Sequence, residues 1–193
     1  MKLSFMKSLL MVMLSALGWA CMDHTVPSVP SLETSWINGW DSQKVLAIQK
    51  GQRPDPSVYL QTSYITYQLT LFKNGASYLV TKKALDDYGR DLLGYPDNTQ
   101  FVMAKQEMDA MLQKTVKNVA AIEAELGIPA GSWQGKPLAR IDIPNPEELH
   151  VRIPSGNEMG ANNLWLPGGK LPTGYSEAVV DRIPKGKYVE SDL

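Results

Sequence analysis

The residues best suited to chemistry lie late in the chain. Glu177 stands just before the apolar run Ala178–Ile183, where a strand would aim its carboxylate. Upstream, Arg152 to Asn163 (RIPSGNEMGANN) packs one Arg, one Ser, Glu158 and three Asn, including Asn157 and Asn162, around two glycines. Asn side chains and bare glycine amides suit a site that orients polar ligand groups. Trp165 follows and offers a flat face for a ligand ring, and Gly168-Gly169 lets backbone approach that ligand closely. The alternative is a loop held by its own Asn turns with Trp165 buried as its plug. His150 is a candidate general base, because imidazole titrates near neutrality. A solvent-facing or hydrogen-bonded structural histidine is the plainer reading. Arg140 alternates with apolar residues in Leu138–Ile143 (LARIDI). There it either forks onto a phosphate or carboxylate, or pairs with Asp142 on the same strand face. The chain contains no GxGxxG, Walker A, GxSxG or HExxH motif.

The elements around these residues follow from periodicity. Ile65, Leu69 and Phe72 recur at helical spacing within 62–72, although alternation there also suits a strand; we read a helix. Ser77–Thr81 reads as a strand, Lys82–Tyr88 as a helix closed by Gly89, and Gln100–Met103 as a strand. Over 104–126, Met108, Met111, Leu112, Thr115, Val119, Ile122 and Leu126 share one stripe, with Asn118 a break point and Gly127 a stop. Leu138–Ile143, Leu149–Ile153 and Ala178–Ile183 read as strands. Residues 154–176 lack periodicity and form a long irregular loop, a common home of function. The fold class expected is α+β: a helical N-terminal half, then a small mixed or antiparallel sheet carrying that loop.

Composition narrows the partners. The chain has 193 residues, 44% of them hydrophobic, enough for one ordinary domain. Its net charge is −1, so there is no strong nucleic-acid signal. One cysteine and two histidines argue against an internal disulfide and against a Cys- or His-rich metal site, and no metal is expected. Residues 1–20 read as a signal peptide: Lys2 and Lys7 precede an apolar run too short to span a bilayer. The small residues Gly18 and Ala20 precede Cys21. That junction suggests an exported protein, either cleaved plainly or lipidated at Cys21 and attached to a membrane. Residues 21–57, punctuated by prolines, read as a tether, with Trp36 and Trp40 anchoring it to the domain or forming a carbohydrate or membrane platform. The globular unit is expected at 58–184, with 185–193 a tail.

The string RIPSGNEMGANNLWLPGGKLPTGYSEAVVD resembles the C-terminal toxin domains of bacterial Rhs-type polymorphic toxins. SYITYQLTLFKNGASYLV, LGYPDNTQFVMAK and IEAELGIPAGSW extend the resemblance over roughly residues 58–184. It implies a secreted toxin or effector and a cognate immunity protein as partner. Such tails normally follow a large carrier, whereas here a signal-like segment precedes the domain. The arrangement is also loosely similar to ADP-ribosyltransferase-like toxins, although it lacks their STS strand motif. That similarity implies NAD as co-substrate, Arg140 on its phosphates, Trp165 beside the nicotinamide and Glu177 stabilising an oxocarbenium-like state. Two other readings stand beside it. One is a metal-independent ribonuclease using His150, Arg152 and Glu158. The other is a non-enzymatic envelope lipoprotein that binds a partner through the Asn/Gly/Trp loop.

Overall fold

A computed structural model describes residues 29–193. The signal segment, Cys21 and the start of the expected tether lie outside the described residues. The fold is α+β: the described residues form five α-helices around a five-stranded antiparallel sheet, and a second, two-stranded sheet. The helices are α1 (Ser42–Leu46), α2 (Thr62–Thr70), α3 (Lys82–Tyr88), α4 (Lys105–Lys114) and α5 (Val119–Leu126). The strands are β1 (Ala76–Thr81), β2 (Leu92–Leu93), β3 (Gln100–Ala104), β4 (Leu138–Ile143), β5 (Glu177–Val180), β6 (Ile183–Pro184) and β7 (Val189–Asp192). The large sheet runs β5-β3-β1-β4-β7, and β2 pairs with β6.

Local chemistry explains most boundaries. Thr81 ends β1 and its hydroxyl caps α3 by accepting from Ala84 N, while Gly89 at φ 86° closes that helix. The long helical stripe breaks where Val116 and Lys117 take positive φ, and Asn118 then caps α5 through Ala121 N. Buried Glu123 accepts from the amides of Gly131 and Trp133 and folds the following turn back onto α5.

Register assigns the sheet's faces. The pairs Ser77–Asp142, Ser77–Met103 and Met103–Glu177 put these four side chains in one row on one face. Tyr78, Val102, Ile141 and Ala178 form the adjacent row on the opposite face, packed with Phe72, Leu85 and Leu149. On the Ser77–Glu177 face, Leu79 and Met103 pack under Met108, Met111 and Leu112 of α4 and Ile122 of α5. A third cluster joins Val45, Tyr59, Leu60, Tyr64 and Trp165.

One seam of the sheet is short. β1 and β3 pair only at Ala76–Ala104 and Ser77–Met103. Beyond that, Tyr78–Thr81 pair with β4 alone and Gln100–Val102 with β5 alone. The two strands part, and their facing edges carry backbone N–H and C=O groups with no strand between them.

Three segments differ from the sequence expectation. Residues 31–57 pack more closely than a tether: Val45 is fully buried, while Trp36 stacks on Tyr59 with ring centroids 5.9 Å apart, in the anchoring role expected of it. Residues 149–153 make no regular strand; Pro146–Leu149 is a 3-10 turn, and only Arg152 bridges to Val179. The expected tail is a strand, since Val189–Asp192 pairs with β4.

Candidate functional site

A cavity of about 840 Å³ opens where β1 and β3 part, a size that suits a small-molecule ligand. Tyr78–Thr81 line one side and Gln100–Met103 the other. The long loop closes it from Met159 to Trp165, and the turn after α5 adds Ile128 and Trp133.

Glu177 is the first residue of β5 and stands on the row at which the seam opens. Its position is clamped on both sides. Its backbone N donates to Gly169 O at 2.9 Å. The preceding Ser176 donates from N and Oγ to Glu107 at 2.5 and 3.0 Å, and Lys170 Nζ donates to Ser176 Oγ at 2.9 Å. Glu177 lines the cavity, yet its Oε2 is buried without a hydrogen-bond partner. Burial, with Glu158 as a second cause, pushes its carboxyl up to about 8. An isolated carboxyl in that state is protonated at neutral pH, and a cation brought beside it favours the ionised form.

Trp165 forms another wall, and its indole Nε1 is likewise buried without a partner. The Arg53 guanidinium lies 4.7 Å from its ring centroid and donates to Gly156 O at 2.9 Å. A Cβ on Gly156 would come within 2.5 Å of that ring, so only glycine lets the loop lie flat on the indole.

The remaining loop residues hold the site rather than face it. Glu158 accepts from Ser155 N and Gly156 N at 2.8 and 2.7 Å, and Asn157 Oδ1 accepts from Gly51 N at 2.7 Å. Asn162 lines the cavity, but its Oδ1 is taken by Leu164 N at 2.7 Å. Gly168 O accepts from the Tyr64 hydroxyl at 2.7 Å, and a Cβ on Gly169 would meet Ile153 at 2.8 Å. Gly169 lies against Glu177 and sets the approach of β5, while Gly168 lies against Leu32.

Arg140 is not on the cavity wall. Its guanidinium donates to Asp109 at 2.6 Å and Asp142 at 2.8 Å, and Ser77 also donates to Asp142. Burial opposes ionisation of Asp109, but hydrogen bonds from Arg140 and Lys105 hold it below the usual carboxylate range. The expected phosphate ligand is therefore committed to carboxylates. His150 and Arg152 are brought together elsewhere, on Asp181, at 2.7 and 2.8 Å. The His150 side chain is 79% exposed and lines no part of this cavity. Glu158 bonds to neither.

Sequence reasoning missed Ser77, Glu107, Tyr95 and Arg182. Arg182 lines the cavity, and nothing local in VVDRIP separates it from an ordinary surface arginine. Among the described residues, no group of three or more His, Cys, Asp or Glu is placed to hold a metal, and no helix is long and apolar enough to cross a membrane. No family model and no curated protein matches the chain.

Proposed function

We propose that the chain is an exported toxin or effector of the polymorphic-toxin type with ADP-ribosyltransferase-like chemistry, using NAD as co-substrate. The observation that carries this reading is Glu177: a carboxyl with a buried, unpartnered oxygen, on a residue that lines a cavity of dinucleotide scale from a clamped strand end. NAD supplies a cationic nicotinamide ring whose bond to ribose breaks with charge developing on the sugar. Glu177 stabilises that charge. A cationic ring nearby favours the ionised carboxyl, restoring the reactive form near neutrality. Trp165, only 6% exposed, adds apolar wall to the cavity. The parted edges of β1 and β3 offer peptide groups that suit a carboxamide. Buried, unpartnered Nε1 and Oε2 atoms in one cavity support a polar ligand over simple packing.

The test is release of nicotinamide from NAD by purified protein, with Glu177→Gln as control. Release that Glu177→Gln abolishes while the fold persists supports the reading. Absence of NAD turnover, with and without a cell extract supplying targets, removes it. Export with Cys21 as lipid anchor belongs to the same proposal. Intact mass of the membrane-fraction protein tests it, and a species retaining Met1 contradicts export.

The ribonuclease reading has one observation of its own. The hydrogen bond from His150 Nδ1 to Asp181 leaves Nε2 on an exposed ring. RNA decay abolished by His150→Ala, and untouched by Glu177→Gln, would favour it.

A further inference from the structure

Five arginines occur in the sequence, and four are committed. Arg90 pairs with Asp86 and Glu190, Arg140 with Asp109 and Asp142, and Arg152 with Asp181. Arg53 donates to the carbonyls of Ile48 and Gly156 and stacks on Trp165. Arg182 differs. It lines the cavity, has no carboxylate partner among the described residues, and its Nε is buried with no hydrogen bond at all. Its one side-chain bond is a long one, from Nη2 to Leu92 O at 3.3 Å. A half-exposed guanidinium with one buried, unspent donor carries a desolvation cost that an anion can relieve.

The residue is also built into place. Its backbone N donates to Asn98 Oδ1 at 3.1 Å. Gly94 stands beside it, and a Cβ there would come within 3.2 Å of Arg182 Cγ, so glycine gives the side chain room. The neighbourhood is aromatic and apolar. Among the described residues, nine large apolar side chains are exposed, and Tyr88, Leu92, Tyr95, Met159 and Leu164 of these line this one cavity. An arginine beside exposed tyrosine rings suits a phosphate joined to a flat base.

We infer that Arg182 is the diphosphate anchor of this cavity, holding the phosphates of a nucleoside diphosphate moiety whose base lies toward Tyr88 and Tyr95. This takes over the role that sequence reasoning gave to Arg140, and it rests on the proposed use of NAD. Arg182 follows Glu177 by five residues, so their Cα atoms are no more than about 18 Å apart. The arginine stem spans part of that distance. That bound keeps both residues within the reach of one extended dinucleotide.

The experiment is calorimetric titration of purified full chain with ADP and, separately, adenosine, for wild type, Arg182→Met and Arg182→Lys. Thermal melts establish that the variants fold. Steady-state NAD turnover is measured in parallel. ADP affinity should fall by about tenfold or more in Arg182→Met and partly recover in Arg182→Lys, with adenosine affinity unchanged. KM for NAD should rise with kcat little altered. ADP binding equal in wild type and Arg182→Met overturns the anchor, and NAD turnover by the same samples leaves the role of Glu177 standing. No ADP binding to wild type also overturns it. Arg182-dependent ADP binding without NAD turnover keeps the anchor and removes the transferase reading.

Discussion

Asp142 and Glu177 stand at opposite ends of one side-chain row on one face of the same sheet. Their surroundings differ above all in the supply of partners. Asp142 receives Arg140 Nε at 2.8 Å and the Ser77 hydroxyl, and the same arginine reaches Asp109 on α4. Glu177 leaves Oε2 buried with no partner. A folding chain has no reason to keep an unpaired buried carboxyl, because leucine or glutamine at the same place would cost less. The paired end of the row welds β4 to β1 and α4. The unpaired residue lines the cavity. This contrast separates carboxyls committed to the fold from one left without a partner.

The largest test of that contrast is Glu177→Gln. Nicotinamide release should fall on the order of 10³-fold, as when a group aimed at developing charge is removed. Asp142→Asn should leave release within about threefold, because its carboxylate serves the fold. Equal losses in both variants would break the comparison.

Arg140→Met should lower stability by about 1–3 kcal/mol in urea unfolding, since it strands Asp142 and Asp109 beside one another half-buried. NAD turnover should persist in the folded fraction. Loss of turnover in protein that melts like wild type would return Arg140 to the site.

A pH series sharpens the contrast further. The folded Glu177 carboxyl titrates near about 8, above its ordinary 4.5. Between those values the native state holds a proton that the unfolded chain has released. Wild-type stability therefore falls as pH rises through that window. Glu177→Gln carries no such cost. Its Tm should match wild type near about pH 4.5 and exceed it by several degrees near about pH 9. A variant that is less stable throughout would mean that the carboxylate has a partner. With no ligand bound, burial also predicts that kcat/KM rises with pH toward a plateau above about 8.

The smallest effect is expected at His150. Its exposed ring and Asp181 lie off the cavity, so His150→Ala should leave both Tm and nicotinamide release unchanged. A marked loss of release would place the chemistry on the other side of the molecule.

Much of the fold was legible along the chain. Thr81 and Gly89 bracket α3 as their cap chemistry predicts, and Asn118 divides the long apolar stripe where expected. LARIDI alternates as a strand should, and the aperiodic stretch after it is a loop. These features depend on neighbours within about four residues, which is the range of helical hydrogen bonds, caps and strand alternation. Other features escaped for the same reason. Residues 149–153 alternate like a strand, but Leu149 ends a 3-10 turn and His150 takes φ 50°, so only Arg152 reaches a partner. Val189–Asp192 looks like a polar tail until β4 presents an edge to it, and the proline-rich 31–57 stretch looks like a tether until Trp165 and Tyr64 give its apolar residues something to cover.

By itself, then, the sequence determined most of the elements, the loop and the identity of Glu177 and Trp165 as residues worth watching, because each is written in local pattern. Tertiary structure decided which charges are spent and which are free. Arg140 is neutralised by Asp109, thirty-one positions away, and Arg182 lines a cavity that exists only because β1 and β3 pair for two residues and then part. Charge pairing depends on distance in space and on strand register, and neither is recorded in the order of residues along the chain.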